Sequence, residues 1–168
     1  MKIVPTLLSA LACACLTGCA SDSNQASIET VGPHPSAGAD QNADNGTLIV
    51  YSAFATDADF YNRNPYGRRY TDYKIMTSDG RLYQKVHNDN GTLTEDAQSV
   101  SLPAGTYQVR AQSNGHGNLT VPIVVAAHQT TILHLEGGGA WQKREGLDET
   151  NAVRLPSGEI IGYRSASN

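Results

Sequence analysis

Leu102-Pro103-Ala104-Gly105-Thr106-Tyr107-Gln108-Val109-Arg110-Ala111 opens with a turn and continues as an alternation. Pro fixes φ and Gly tolerates conformations closed to other residues, so Pro103-Ala104-Gly105 reads as a turn. From Thr106 to Ser113 the apolar positions recur at every second residue. That period places Tyr107, Val109 and Ala111 on one face of a strand and Gln108 and Arg110 on the other. Asn114-Gly115-His116-Gly117 is a second turn, and Asn118 to Ala126 reads as the return strand.

The same signals repeat on either side. Thr47-Leu48-Ile49-Val50-Tyr51 is a β-branched and aromatic run, and Tyr70 to Met76 alternates around Tyr73 and Ile75. Ser78-Asp79-Gly80 turns into a strand from Arg81 to His87, and Asn88-Asp89-Asn90-Gly91 turns again. Gln98 to Leu102 and Thr130 to Glu136 complete the series. Short strands separated by Gly, Asn and Asp turns predict an all-β sandwich, and no segment has the period of an amphipathic helix. After Gly137-Gly138-Gly139, residues Asn151 to Leu155 and Glu159 to Arg164 predict a hairpin around Pro156-Ser157-Gly158. The expectation is that this hairpin pairs with a sheet edge and that Trp141 caps the core.

Taken with Val121-Pro122-Ile123-Val124-Val125 and Thr130-Thr131-Ile132-Leu133-His134-Leu135, the Leu-Pro-x-Gly-x-Tyr-x-Val pattern at 102–109 resembles the carboxypeptidase regulatory-like and PEGA-like domains. These are prealbumin-type, Greek-key sandwiches. The resemblance covers residues 98–136. It implies a fold found as an enzyme appendage, an adhesin stalk or a surface lipoprotein, and it assigns no reaction.

The N-terminus predicts a destination. Met1-Lys2 is a short positive start, and an apolar run from Ile3 to Leu16 follows, in the layout of a secretory signal peptide. It is shorter than the ~20 apolar residues that span a bilayer. Leu16-Thr17-Gly18-Cys19 resembles a bacterial lipobox. The resemblance implies cleavage before Cys19 and a diacylglyceryl group on its thiol, with the new amine commonly acylated. Two or more chains anchor stably where one does not. Ala20 stands where Asp would resemble an inner-membrane retention signal, so the expected location is the cell envelope, at the outer membrane of a host that has one.

Cys13, Cys15 and Cys19 are the three cysteines. Past position 19 the chain therefore has no thiol for a disulfide or a cysteine-held metal. Residues 20 to 45 are small and polar, with Ile28 and Val31 as the only larger aliphatics. They read as a disordered tether with a reach on the order of 25–30 Å. The predicted organisation is a signal peptide at 1–18, lipidated Cys19 and tether to 45, a sandwich at 46–136, and a joint with hairpin at 137–168. Twelve basic and sixteen acidic residues give a net charge of −4, which loss of Lys2 makes one unit more negative. A chain so charged carries no electrostatic footprint for nucleic acid.

Catalytic patterns are missing. None of His34, His87, His116, His128 and His134 has Glu three residues on, so the zinc carboxypeptidase ligand set is excluded. There is no Gly-x-Ser-x-Gly elbow. His116, His128 and His134 form a possible surface metal set, set against three ordinary polar positions. Asn88 to Asp96 resembles a calcium loop, but Leu93 breaks the ligand pattern and favours a plain turn. No cofactor is expected. The segment 60–73 concentrates aromatic and basic residues, the types enriched at binding hot spots. Tyr61, Tyr66, Arg68, Arg69 and Tyr70 are its candidate binding residues, against the alternative of a loop folded onto the sandwich. The expected function is a non-catalytic, membrane-anchored envelope module that binds an envelope polymer or a protein. The alternatives are a small hydrolase or metal-dependent enzyme, and an accessory subunit joined by sheet-edge pairing.

Overall fold

A computed structural model describes residues 27–34, 44–55, 69–88, 96–137 and 149–164. Nine strands run through them: β1 (Asn45–Tyr51), β2 (Tyr73–Thr77), β3 (Leu82–Val86), β4 (Ser99–Pro103), β5 (Gly105–Ser113), β6 (Gly117–Val125), β7 (Thr130–His134), β8 (Ala152–Arg154) and β9 (Ile160–Tyr163). A single turn of 3₁₀ helix, Glu149–Asn151, precedes β8. The expectation of an all-β sandwich holds.

Three strands form one sheet in the order β4-β1-β7, and four form the other in the order β3-β2-β5-β6. β1 runs antiparallel to β4 and parallel to β7. The chain passes between sheets at β1 to β2, β3 to β4, β4 to β5 and β6 to β7, as in a sandwich. The alternation seen in the sequence packs the space between: Leu48 and Val50 from β1, Ile75 from β2, Val109 from β5 and Leu133 from β7 are fully buried. Tyr107, Val109 and Ala111 all point inward, at 7%, 0% and 4% exposure, as their period requires.

Pro103-Ala104-Gly105 is a corner, not a hairpin turn, because β4 and β5 lie in different sheets. Tyr107 fastens it: its hydroxyl donates to the Pro103 carbonyl at 2.9 Å. The link resembles a tyrosine corner, in which a ring from one strand ties down the chain just upstream.

Two expectations need correction. The stretch read as tether does not stay free up to residue 45. Val31 is fully buried in the core cluster and makes a parallel bridge to Ile123 on β6. Its amide donates to Pro122 O at 3.0 Å, and Val124 N donates to Val31 O at 2.8 Å. Two aliphatics suffice to dock this short piece because an open strand edge is waiting for it. The hairpin, for its part, does not extend either main sheet. β8 and β9 form their own two-stranded sheet, which packs beside β7 and sends Val153, Leu155 and Ile161 into the shared core. Gly32 N donates to Tyr163 O at 2.7 Å and joins the two additions. Together they close the side of the sandwich between β6 and β7. Trp141 lies outside the described residues.

Candidate functional site

The outward positions of the four-stranded sheet build the site. On β2, Lys74 stands between the buried Tyr73 and Ile75. On β5, Arg110 stands between the buried Val109 and Ala111. Strand pairing then sets charge beside charge: Lys85 of β3 is opposite Lys74, Lys74 is opposite Arg110, and Arg110 is opposite Thr120 of β6. Neighbouring strands lie about 4.8 Å apart, so the three cations form a line of roughly 10 Å across the sheet.

This line crosses a trough of about 790 Å³ on the sheet's outer face. Gln112 and Asn118, paired across β5 and β6, lie on one side of it. Asp72 and His87 close the same end, where His87 Nδ1 meets Asp72 Oδ1 at 2.9 Å and Asn88 N donates to that oxygen at 3.2 Å. Among the described residues, no ion pair involves Lys74, Lys85 or Arg110. Like charges directly opposite one another destabilise a sheet. The described face thus places three cations side by side, with Asp72 as the one carboxylate in the trough lining.

Sequence reading missed all three cations. They are distant in the chain, and only the register of β2 against β3 and β5 aligns them. The available signal was the outward phase of Lys74 and Arg110 in two alternating strands, whereas β3 is exposed from Leu82 to Lys85 and gives Lys85 no such mark.

The predicted binding loop is described only at its base. Tyr61, Tyr66 and Arg68 lie outside the described residues, as does Cys19. Arg69 O accepts from Ala55 N at 2.7 Å, and Tyr70 bridges Phe54. The Tyr70 ring meets Tyr51 edge-on at 5.5 Å and Phe54 at 5.4 Å. Tyr51 in turn stacks on His134 at 4.7 Å. Tyr70 therefore packs onto the sandwich, and the chain continues directly to Asp72 at the rim of the trough.

The histidines do not converge. His116 faces Glu159 at 3.2 Å, His128 faces Asp44 at 3.2 Å, and His134 faces Glu136 at 2.7 Å. Among the described residues, no three His, Cys, Asp or Glu side chains gather around one point. Ser157, His116 and Glu159 do come together, with Ser157 Oγ 3.5 Å from His116 Nε2. Glu159 contacts that same nitrogen. A nucleophile relay needs the serine and the acid on opposite ring nitrogens, so this trio is not wired as one. Asn88, read as part of a turn, is a buried clasp: its Nδ2 donates to Val50 O at 2.8 Å and Ser52 Oγ at 3.0 Å, and its Oδ1 accepts from Gln98 N at 2.9 Å.

Compared with protein families, with characterised proteins and with solved structures, the chain finds no match in any of the three.

Proposed function

We propose that this chain is a non-catalytic, lipid-anchored envelope module that binds its ligand in the trough of the four-stranded sheet. The observation that carries the reading is the line Lys85, Lys74, Arg110, three adjacent cations lacking acidic partners among the described residues. A face built only for stability would alternate its charges. Tyr70 itself packs on Tyr51 and Phe54, two residues before Asp72 at the rim. The lipobox-like Leu16 to Cys19 supports anchoring in the envelope, at the outer membrane where there is one. The resemblance of 98–136 to carboxypeptidase regulatory-like domains supports a module without chemistry of its own.

The test is photo-crosslinking in native envelopes from a probe at Gln112, in the full chain. Wild type is compared with Lys74→Gln, Lys85→Gln, Arg110→Gln. A cross-linked species present in wild type and lost in the triple variant is expected. The same species at the same yield in both would remove the trough as the binding face. Metabolic palmitate labelling that persists in Cys19→Ala would remove the anchor.

One observation favours a second reading, an accessory subunit. Strand β3 is a sheet edge on which Leu82 and Tyr83 are 51% and 45% exposed. A partner strand added there would cover both. Cross-links from Gln84 that survive the triple variant would select this reading over the first.

A further inference from the structure

We infer that the trough binds a linear, carboxylate-bearing polysaccharide, laid along the line of Lys85, Lys74 and Arg110. The inference rests on the reading of the trough as the binding face and names what fills it. Four features of the site select this chemistry.

The cations come first. Their spacing by one strand each suits charges that recur along a chain, and Arg110 offers a forked donor to a planar carboxylate. The flanks are the second feature. Thr120, Gln112 and Asn118 supply a hydroxyl and two amides beside the cations, and each can exchange hydrogen bonds with sugar hydroxyls. Asp72 is the third. An ionised carboxylate only accepts hydrogen bonds, so a ligand at that rim must donate. Sugars donate through their hydroxyls, whereas fully ionised polyphosphate has no such donors. The shape of the face is the fourth. The cations line a recess, which one polymer strand enters and a flat membrane surface does not. Among the described residues the recess offers no exposed Phe, Tyr or Trp ring for nucleobase stacking, because Tyr73 is 2% exposed and faces the core, which leaves the His87 imidazole as its one exposed ring.

The test uses the full chain in detergent micelles and fluorescent oligogalacturonate as probe, read by anisotropy. Neutral dextran, polyphosphate, an oligothymidylate and phosphatidylglycerol vesicles are the comparison ligands. Oligogalacturonate is expected to bind, and to bind more weakly as salt rises past roughly 0.1 M, where the screening length falls to about 10 Å. Lys74→Gln, Lys85→Gln, Arg110→Gln should weaken binding by about 10–100-fold, the loss of a few charge-assisted contacts. That variant should melt at the same temperature as wild type or higher, since it removes like-charge contacts. Asp72→Asn should weaken the probe several-fold, and Arg110→Lys should recover only part of what Arg110→Gln loses.

Equal binding by the triple variant, equal binding of dextran, or tighter binding of polyphosphate, oligothymidylate or vesicles would overturn the assignment. So would the absence of oligogalacturonate binding. In that last case the envelope cross-link from Gln112 still decides the broader reading. A charge-dependent cross-link without glycan binding keeps the trough and rejects the polysaccharide. No cross-link at all rejects both.

Discussion

The side-chain amide of Asn88 ties the chain leaving β3 to the ends of two strands in the other sheet. It reaches the end of β1 through Val50 O and Ser52 Oγ, and the start of β4 through Gln98 N. Ser52 passes the connection on, donating to Thr71 O at 2.6 Å. Asn88 is 1% exposed, so no water replaces what a shorter side chain gives up. Asn88→Ala should cost about 2–4 kcal/mol, because it leaves buried donors and acceptors unpaired. Urea unfolding should show a lower midpoint with an unchanged slope. Tyr73 presents the opposite case. Its hydroxyl is buried without a hydrogen-bond partner among the described residues. Tyr73→Phe should therefore be neutral or stabilise by about 1 kcal/mol. Burial also raises the Tyr73 hydroxyl pKa well above the usual tyrosine value, and Tyr107 moves the same way, through burial and then the neighbouring Tyr83. The folded state thus holds protons that the unfolded state releases near pH 10. Stability should be level from neutral pH to about 9 and fall above about 10, with the fall reduced in Tyr73→Phe. An equal alkaline fall in both proteins would trace it to other groups. The sequence marked Asn88 only as a turn residue. Asn ends strands and clasps buried carbonyls with the same amide, and nothing local separates the two uses.

At the scale of elements, strands were legible and their partners were not. Alternation located β2 and β5, since a half-buried strand must repeat every two residues, and β-branched runs and turn signals located the other strands. It carries no information on which sheet receives a strand. Pro103-Ala104-Gly105 looks the same as a hairpin turn and as a corner between sheets. The cation line was hidden for the same reason: the pairing of β3, β2 and β5 created it. The docking of residues 28–32 was hidden by composition, because Ile28 and Val31 sit in a polar run. Gly32 makes that docking possible. It is buried with φ +106°, and a Cβ there would lie 2.2 Å from Val124 O. Gly162 on β9 is its counterpart, where a Cβ would lie 2.6 Å from Val31 Cγ1 and 3.1 Å from Ile132 O. Gly32→Ala should lower stability by about 3 kcal/mol, through backbone strain and overpacking together. It should also open residues 27–34 to limited proteolysis ahead of the sandwich. A variant as protease-resistant as wild type would mean that the segment docks without needing the glycine.

For the whole molecule, if Cys19 carries the proposed lipid, the docked segment would limit how the domain stands on its membrane. A chain free from Cys19 to Gly46 would span roughly 95 Å when extended, whereas Cys19 to Ile28 spans at most roughly 30 Å. The described residues before Val31 also leave the domain at one end. Val31 runs parallel to β6, so the residues before it lie toward the turn from which β6 starts. Glu29 pairs with Arg164 on the same side. The hairpin turn shares that end of the sandwich, with Ser157 against His116. The turn between β2 and β3, at Ser78 to Gly80, belongs to the opposite end, because Thr77 pairs with Tyr107 near the start of β5. β5 has nine residues, so the two ends lie about 30 Å apart at ~3.4 Å per residue. Anchoring should therefore hold Ser157 near the lipid and Ser78 away from it. If the proposed processing acylates Cys19 and removes Cys13 and Cys15, Ser157→Cys and Ser78→Cys would each offer one thiol for a fluorophore. Energy transfer to a lipid dye in reconstituted vesicles should be strong from position 157 and weak from position 78, and absent from both in Cys19→Ala. Gly32→Ala should bring the two positions closer to equality, since releasing residues 28–32 restores the longer leash. Equal transfer from both positions in the unaltered chain would show that the docked segment does not orient the domain, and the trough would then face the membrane as often as it faces away.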